Sequence, residues 1–302
     1  MNALFDLIAI PLGWVMWAIY RIVHSYGISI ILFTLFIKLL TLPSTYKMQV
    51  NSARMGLIAP KLEKLKKSYP NNPQRQQEEQ TKLYSEEGIN PGSGCAGSLV
   101  TMLLLLGVYR VVMRPLTHIL RISKETLTEA QTALSTWLDT NNLTERYLAS
   151  RPELIMLKYA KTNPEIFSGI SGFSDKLRGF ENTFLGFDLA GVPDLHPNAW
   201  TSTAVMLIVL PVLAALSQLA ITFVTQIHQR KVNPAAQSMG SMNAMLYLSP
   251  LMTIWIGMSV PAGLSFYWLV NSLLSLIVML LIYKYLSDKD RLAAINEKEK
   301  QK

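Results

Sequence analysis

The sequence predicts an all-α polytopic membrane protein: five transmembrane helices, a cytoplasmic helical hairpin after the first, and an N-terminal interfacial helix. Three observations lead there. Half of the 302 residues are hydrophobic and mean hydropathy is +0.25, while charged residues make up 16%, well below the roughly 25% of soluble domains. Several apolar runs reach or approach the roughly 20 residues that cross a hydrocarbon core about 30 Å thick. Basic residues concentrate in alternate connecting segments, as they do in cytoplasmic loops.

Residues 1–26 hold an apolar stretch interrupted by Asp6, Pro11 and Gly13 and furnished with Trp14, Trp17 and Tyr20. It is long enough to span, but these side chains suit the headgroup region and favour an interfacial helix. Span one covers 27–46. In 47–95, Ile58, Leu62, Leu65 and Tyr69 recur every three or four residues, the seam of a helical hairpin. Tyr69-Pro70-Asn71 ends its first arm, Asn72 caps the second with Pro73 at the first helical position, and Gly88 stops it. The thin seam and wet faces predict mobility relative to the bundle.

Span two covers 96–114. The external insertion 115–199 is too long for a bare connector. Spacing and caps predict short helices there, one over Ser123 to Leu138 and another capped by Ser150 with Pro152 in its first turn. Span three, 200–227, contains Pro211. A short loop, 228–242, leads to span four at 243–259 and, past Val260-Pro261, span five at 262–285, followed by a charged tail, 286–302.

Charge orients these elements. Residues 44–96 carry eight Lys/Arg against five Glu, 228–242 carry Arg230 and Lys231 with no acid, and 284–302 carry six basic against four acidic residues. With five spans all three lie on one side, while 115–200 hold eight basic and ten acidic residues. The expected topology places the N-terminus outside and the C-terminus in the cytoplasm. Arg110 and Arg114 at the outer end of span two run against the rule, and snorkelling accommodates them. The start of the chain shows neither a secretory signal nor a lipid-anchor cysteine, so Met1 is expected in the mature protein.

Little in the sequence points to an enzyme. The single cysteine, Cys95, excludes a disulfide framework or a multi-cysteine metal site. His24, His118, His196 and His228 form no HExxH, and no GxSxG is present. Gly92 to Gly97 match GxGxxG in form, but no strand precedes them and no βαβ unit follows. A Ser/Lys dyad at Lys38 would need a serine beside it in space. No cofactor or metal is implied.

Lys38 interrupts LFTLFIKLLTLP in the middle of span one. A lysine there costs about 2.5–3.5 kcal/mol on insertion scales and normally faces a bundle interior or a hydrated cavity. Snorkelling is the competing reading: Tyr46 is eight residues away, roughly 12 Å along the helix, and a stretched side chain covers about half of that. Thr101, Ser217, Gln218, Thr222, Thr225, Asn271, Ser272 and Ser275 add polar side chains to spans two, three and five. Each alone serves equally well as helix-to-helix glue. Facing Lys38 together, they would line a positively charged groove, and the predicted spans contain no acid to pair with it.

This arrangement resembles the YidC/Oxa family of membrane protein insertases. Pro261-Ala262-Gly263-Leu264-Ser265-Phe266-Tyr267-Trp268 with Asn271 is similar to the family's PAGL-x-x-YW-x-x-N signature. Lys61-Leu62-Glu63, Lys67-Ser68-Tyr69-Pro70, Leu83-Tyr84, Asn90-Pro91 and Gly94-Cys95 resemble the hairpin and its exit. Phe184 to Leu189 with Pro193-Asp194 resemble the approach to span three, and Ser249-Pro250-Leu251-Met252 part of span four. Three departures stand out. Lys38 occupies the place of the family's usual arginine, which keeps the charge and loses the bidentate fork. Ala96-Gly97-Ser98 and Thr101 replace prolines and a glutamine of span two, and the external insertion is enlarged.

The resemblance implies an insertase, not an enzyme, in a bacterial cell membrane. Nascent membrane proteins and the lipid bilayer are its implied partners, with the ribosome, the signal recognition particle pathway and the Sec translocon as further ones; no nucleic-acid binding beyond ribosome contact is implied. Lys38, Thr101, Gln218, Thr222, Thr225, Tyr267, Trp268, Asn271, Ser272 and Ser275 would form the substrate groove. Lys61, Glu63, Lys67, Tyr69, Pro70 and Tyr84 would belong to the docking hairpin. Met239, Met242, Met245, Met252 and Met258 near span four suit varied apolar clients or ordinary lipid-facing packing. A small-anion transporter or channel subunit binding anions at Lys38, and an assembly factor, remain alternatives.

Overall fold

The computed structural model describes residues 2–90, 93–145, 148–195, 199–232 and 240–300. It is all-α apart from one two-stranded hairpin. In order come α1 (Asn2–Val23), α2 (Tyr26–Ser68), α3 (Pro73–Glu86), α4 (Ser93–Met113), α5 (Pro115–His118), α6 (Lys124–Thr140), α7 (Pro152–Thr162), a 3-10 turn (Pro164–Phe167) and α8 (Phe173–Leu177). Strands β1 (Thr183–Phe184) and β2 (Phe187–Asp188) follow, then α9 (Ser202–Val232), α10 (Gly240–Gly257), α11 (Ala262–Leu286) and α12 (Lys289–Lys300). Among the described residues, Asp6–Val23, Tyr26–Ser68, Ser202–Arg230 and Ala262–Leu286 are long and apolar enough to cross a membrane, and Thr101–Met113 and Leu248–Gly257 are shorter apolar helices. This is a polytopic membrane protein.

Predicted spans one and five lie within α2 and α11, and spans two, three and four overlap α4, α9 and α10 to within two residues at one end. No helix break accompanies the boundary at 46/47 between span one and the hairpin. α2 continues for 43 residues through Pro43 and Pro60, about 65 Å at 1.5 Å per residue, so the hairpin's first arm extends the span. Asn72 caps α3 as expected, its side chain accepting from Arg75 N with Pro73 at the first position, and Gly88 follows at φ 60°. Ser123 likewise caps α6. At α7 the cap position falls on Arg151 instead of Ser150, with no side-chain cap bond. Pro152 alone sets the start, since its fixed φ and missing N–H suit the first turn.

The chain forms two compact units, residues 1–36, 102–215 and 252–270 in one, and 37–101, 216–251 and 271–302 in the other. In the first, α6 and α7 bury Leu134, Leu138, Leu154 and Met156 beside Phe167 and Phe173, whose ring centroids are 4.9 Å apart. Each such ring contributes roughly 1.5–3 kcal/mol over its exposed state, enough to make the insertion an ordered body. Glu153 is buried, its carboxylate accepting from Thr117 N at 2.9 Å and Thr117 Oγ1 at 2.6 Å.

Two of the resembling motifs meet in this unit. Leu185 and Gly186 both take positive φ, 50° and 83°, in the two-residue turn joining β1 to β2; this geometry matches the twist of the paired strands. Phe184 then occupies the space that Gly27 leaves open, where a Cβ would come within 2.1 Å of its ring, and lies 5.6 Å from the Phe266 ring. The chain after β2 holds the start of α11: Ala262 N donates to Gly191 O at 2.8 Å and Gly263 N to Leu189 O at 2.7 Å. A Cβ at Gly263 would sit 2.9 Å from that Leu189 oxygen, which explains the glycine of the Pro261–Leu264 stretch.

α1 packs on the same unit. Ala9, Leu12 and Met16 are buried, Gly107 of α4 admits Ile8 and Leu12, and Asp6 pairs with Arg110 at 3.0 Å. The acid that interrupts α1 and Arg110 at the end of span two are thus partners.

In the second unit Val50, Ala53, Ile282 and Leu286 form a core, with Tyr46, Val278, Leu292 and Ile295 packed against it. The expected tail is therefore a helix with a docked apolar face. Arg54 is buried and ties three elements together, donating to Asn296 Oδ1 at 2.8 Å, Gly88 O at 3.1 Å and Glu87 O at 2.7 Å.

Candidate functional site

Within the second unit, α2 and α11 place the central polar constellation. Lys38 Nζ donates to Ser275 Oγ at 2.6 Å, and that hydroxyl donates to Asn271 O at 2.6 Å. The hydroxyl proton is therefore committed to the backbone, and its oxygen turns a lone pair to the ammonium. Among the described residues no carboxylate comes within 4.0 Å of Lys38. A cation held by a neutral acceptor keeps its attraction for an incoming anion.

A pocket of about 330 Å³ opens around this pair, lined by Lys38, Thr41, Leu42, Thr45, Met48, Gln49, Thr101, Ser275, Val278 and Met279. The α2 members recur every three or four residues and so form one face of the helix. Thr41 and Thr45 donate back to Ile37 O at 2.8 Å and Thr41 O at 3.0 Å, which satisfies their protons within the helix and leaves oxygens to line the space.

Of the predicted groove residues, the structure brings Lys38, Thr101 and Ser275 together, with Asn271 joined through its carbonyl. Gln218 Nε2 donates instead to Ser249 Oγ at 2.8 Å, between α9 and α10. Thr222, Thr225 and Ser272 do not line the pocket; Ser272 is buried and the two threonines half-buried. Tyr267 is buried and Trp268 half-buried in the first unit. The sequence reading missed Thr41, Thr45, Met48 and Gln49. The signal was available as a helical stripe continuing from Lys38 through Thr41, Thr45, Met48 and Gln49, two of them within span one and two just past its boundary at 46.

The hairpin residues lie at its base and tip. Lys61 pairs with Glu87 at the end of α3, and Glu63 with Lys67 at 2.7 Å on an exposed face. Tyr69 O accepts from Gln76 Nε2 at 2.6 Å, its ring lies 5.3 Å from the Arg75 guanidinium, and Pro70 is exposed beside it. Tyr84 accepts from Gln80 at 2.9 Å. Pro91 and Met239, and the side chains of Gly94, Cys95, Met242 and Met245, lie outside the described residues.

Sequence comparison agrees with the motifs. The profile described as 60Kd inner membrane protein matches residues 18–289. Inner membrane ALBINO3-like protein 2, chloroplastic, of Chlamydomonas reinhardtii is 31% identical, over 84% of this chain and 49% of its own length. Membrane protein insertase YidC of Amoebophilus asiaticus is 28% identical over 97% of this chain and 40% of its own. The insertase YidC of Clostridium tetani is 39% identical over 36% of this chain and 50% of its own. The chain spans about half the length of the relatives it matches or less. With a profile match over nearly all of it and the family's signature built into the start of α11, the chain belongs to the YidC/Oxa family of membrane proteins.

Proposed function

We propose that the chain is a membrane protein insertase whose Lys38 pocket receives polar or acidic tails of nascent membrane proteins. The observation that carries this reading is the ammonium of Lys38 in a pocket where Thr41, Thr45, Gln49 and Thr101 stand among apolar side chains, bonded to a neutral serine. A carboxylate about 4 Å from that ammonium gains on the order of 4 kcal/mol at an effective dielectric of 20, enough to hold a tail part-way into the membrane. Release of the client's apolar segment into lipid between spans three and five then supplies the driving force, about 25 cal/mol per Å² of apolar surface buried. Gln218, Thr222, Thr225, Tyr267, Trp268, Asn271 and Ser272 belong to this path as polar or aromatic contacts.

In the same proposal the chain sits in a bacterial cell membrane with its N-terminus outside and C-terminus in the cytoplasm. The hairpin, through Lys61, Glu63, Lys67, Tyr69, Pro70 and Tyr84, docks client or targeting factors such as the ribosome, the signal recognition particle pathway or the Sec translocon.

A photo-crosslinking side chain at Thr101, with ribosome-bound chains of a short membrane protein bearing an acidic tail, tests the reading. Crosslinks to the tail, and insertion into vesicles containing the purified chain, are expected. No crosslink, together with uptake of a labelled small anion by the same vesicles, would transfer the pocket to the transporter reading.

A further inference from the structure

The junction of α1 with the external insertion holds an unfilled recognition element. Arg121 lies at positive φ, 52°, with its carbonyl accepting from Lys176 Nζ at 2.6 Å. Its guanidinium carbon stands 3.9 Å from the Trp14 ring centroid and 6.0 Å from that of Trp17. Stacking uses the flat face of the group. The edge formed by Nε and Nη2, whose N–H bonds run parallel, is buried and has no hydrogen-bond partner among the described residues. That edge is the fork that accepts two oxygens of a carboxylate or phosphate.

The surroundings favour an anion. Arg110, Arg114 and Arg121 all act electrostatically on buried His118, opposed by the carboxylate of Asp6, which is already paired with Arg110; Glu153, held by Thr117, faces Arg114, which leaves Arg121, of these three, as the guanidinium without an acid among the described residues. His118 packs against Gly13, next to Trp14, and its Nδ1 also lacks a partner among the described residues. Arg21 adds a further guanidinium 5.2 Å from the Trp17 ring.

The source of the anion follows from the rest of α1. Leu7, Ile10, Trp14 and Ile22 are 68%, 51%, 52% and 80% exposed and share one face of the helix, opposite the buried Ala9, Leu12 and Met16. An apolar stripe bordered by tryptophan and arginine in a multi-pass membrane protein belongs at the boundary of acyl chains and headgroups. Trp14 is half-exposed, so the shelf on which Arg121 stacks lies at the same surface as the stripe.

We propose that Arg121, with Trp14 and Trp17 as an aromatic shelf, binds the phosphodiester of a lipid headgroup and thereby anchors α1 and the external insertion to one leaflet. The site is independent of Lys38 and of the insertase reading.

Native mass spectrometry of the full chain in detergent, titrated with dioctanoyl phosphatidylglycerol, dioctanoylglycerol and inorganic phosphate, tests it. Phosphatidylglycerol is expected to bind at least tenfold more tightly than either the phosphate-free lipid or free phosphate. Arg121→Gln is expected to abolish that preference, Arg121→Lys to retain part of it, and Arg178→Gln, an exposed basic position elsewhere on the insertion, to leave it intact. Equal affinity for dioctanoylglycerol, or free phosphate binding as tightly as the lipid, overturns the proposal, as does wild-type preference in Arg121→Gln. If Arg121→Gln loses helix content by circular dichroism, the wild-type ligand series and Arg121→Lys decide, and an unaltered preference in Arg121→Lys overturns the bidentate fork.

Discussion

Two cations in apolar helices are handled in opposite ways. Arg110, near the end of α4, has a carboxylate at 3.0 Å from Asp6 of α1, and the pair joins two helices. Lys38, in the middle of the apolar run of α2, has a serine hydroxyl at 2.6 Å and an open pocket of mixed lining beside it. An ion pair spends the charge on structure, whereas a neutral acceptor steadies the ammonium and keeps its field available. Arg54 is a third case: two backbone carbonyls and an amide oxygen each accept from one of its three nitrogens, and it serves as a clamp.

The largest effect is expected where a buried cation is bonded through all three nitrogens. Arg54→Ala strands the Glu87 and Gly88 carbonyls and the Asn296 side chain, and should cost about 3 kcal/mol or more, since bonds from charged donors contribute roughly 1.5–3 kcal/mol each. Hydrogen exchange should show α12 and the end of α3 losing protection together. If α12 keeps its protection, the apolar contacts of Leu292 and Ile295 hold it alone.

A pH test probes the crowded cationic neighbourhood around Arg110. Burial chiefly, then Arg121, pushes His118 down to about 4 from the usual 6.5. The folded insertion therefore resists protonation: this stability is fully present above pH 6.5 and fades as pH falls toward 4, by up to about 3 kcal/mol. Glu153 works in the opposite sense, because burial raises its carboxyl, so the comparison is best made by difference. The gap in exchange protection of α5 and α7 between the wild type and His118→Gln should change across pH 6.5 to 4; a constant gap would mean that water or an anion already stabilises the charged imidazole.

For Lys38 the effect should appear in activity. Lys38→Ala is expected to lower insertion of acidic-tailed clients about tenfold, equivalent to about 1.4 kcal/mol, while Lys38→Arg retains it and neutral-tailed clients are less affected. Equal insertion across tails by Lys38→Ala in reconstituted vesicles would make Lys38 a snorkelling residue. The smallest effect belongs to the paired cation. A double-mutant cycle of Asp6→Asn with Arg110→Gln should give a coupling of about 1 kcal/mol or less, because neither side chain is fully buried by the protein, with insertion unchanged. Lost insertion in Asp6→Asn would dissolve the contrast between the two sites.

Much of the architecture is local and therefore readable from the chain: apolar runs of spanning length, the Asn72-Pro73 and Ser123 helix starts, and the stop at Gly88. The boundary at 46/47 shows the limit of that reading, because span one and the hairpin's first arm were read as separate elements and α2 runs unbroken through both, Pro43 included. Ser150 shows another, since a capping side chain near Pro152 does not guarantee the cap. At the site, the lysine and its missing carboxylate were visible in composition, and Thr101 and Ser275 in polarity. Polarity alone also nominated Gln218, which the structure bonds to Ser249, and Thr222, Thr225 and Ser272, which lie outside the pocket lining. Nothing in one helix tells a polar side chain whether its partner is a neighbour or a cavity.

Length, hydropathy and charge asymmetry are sums along the chain, so the sequence was sufficient to specify an all-helical membrane protein, a family signature and one intramembrane cation without an acid. Which groups meet is a matter of rotation and depth of helices far apart in the chain. Only the tertiary structure could give Lys38 the lone pair of Ser275, 237 residues away, give Arg110 the carboxylate of Asp6, and seat Gly263 against the carbonyl of Leu189.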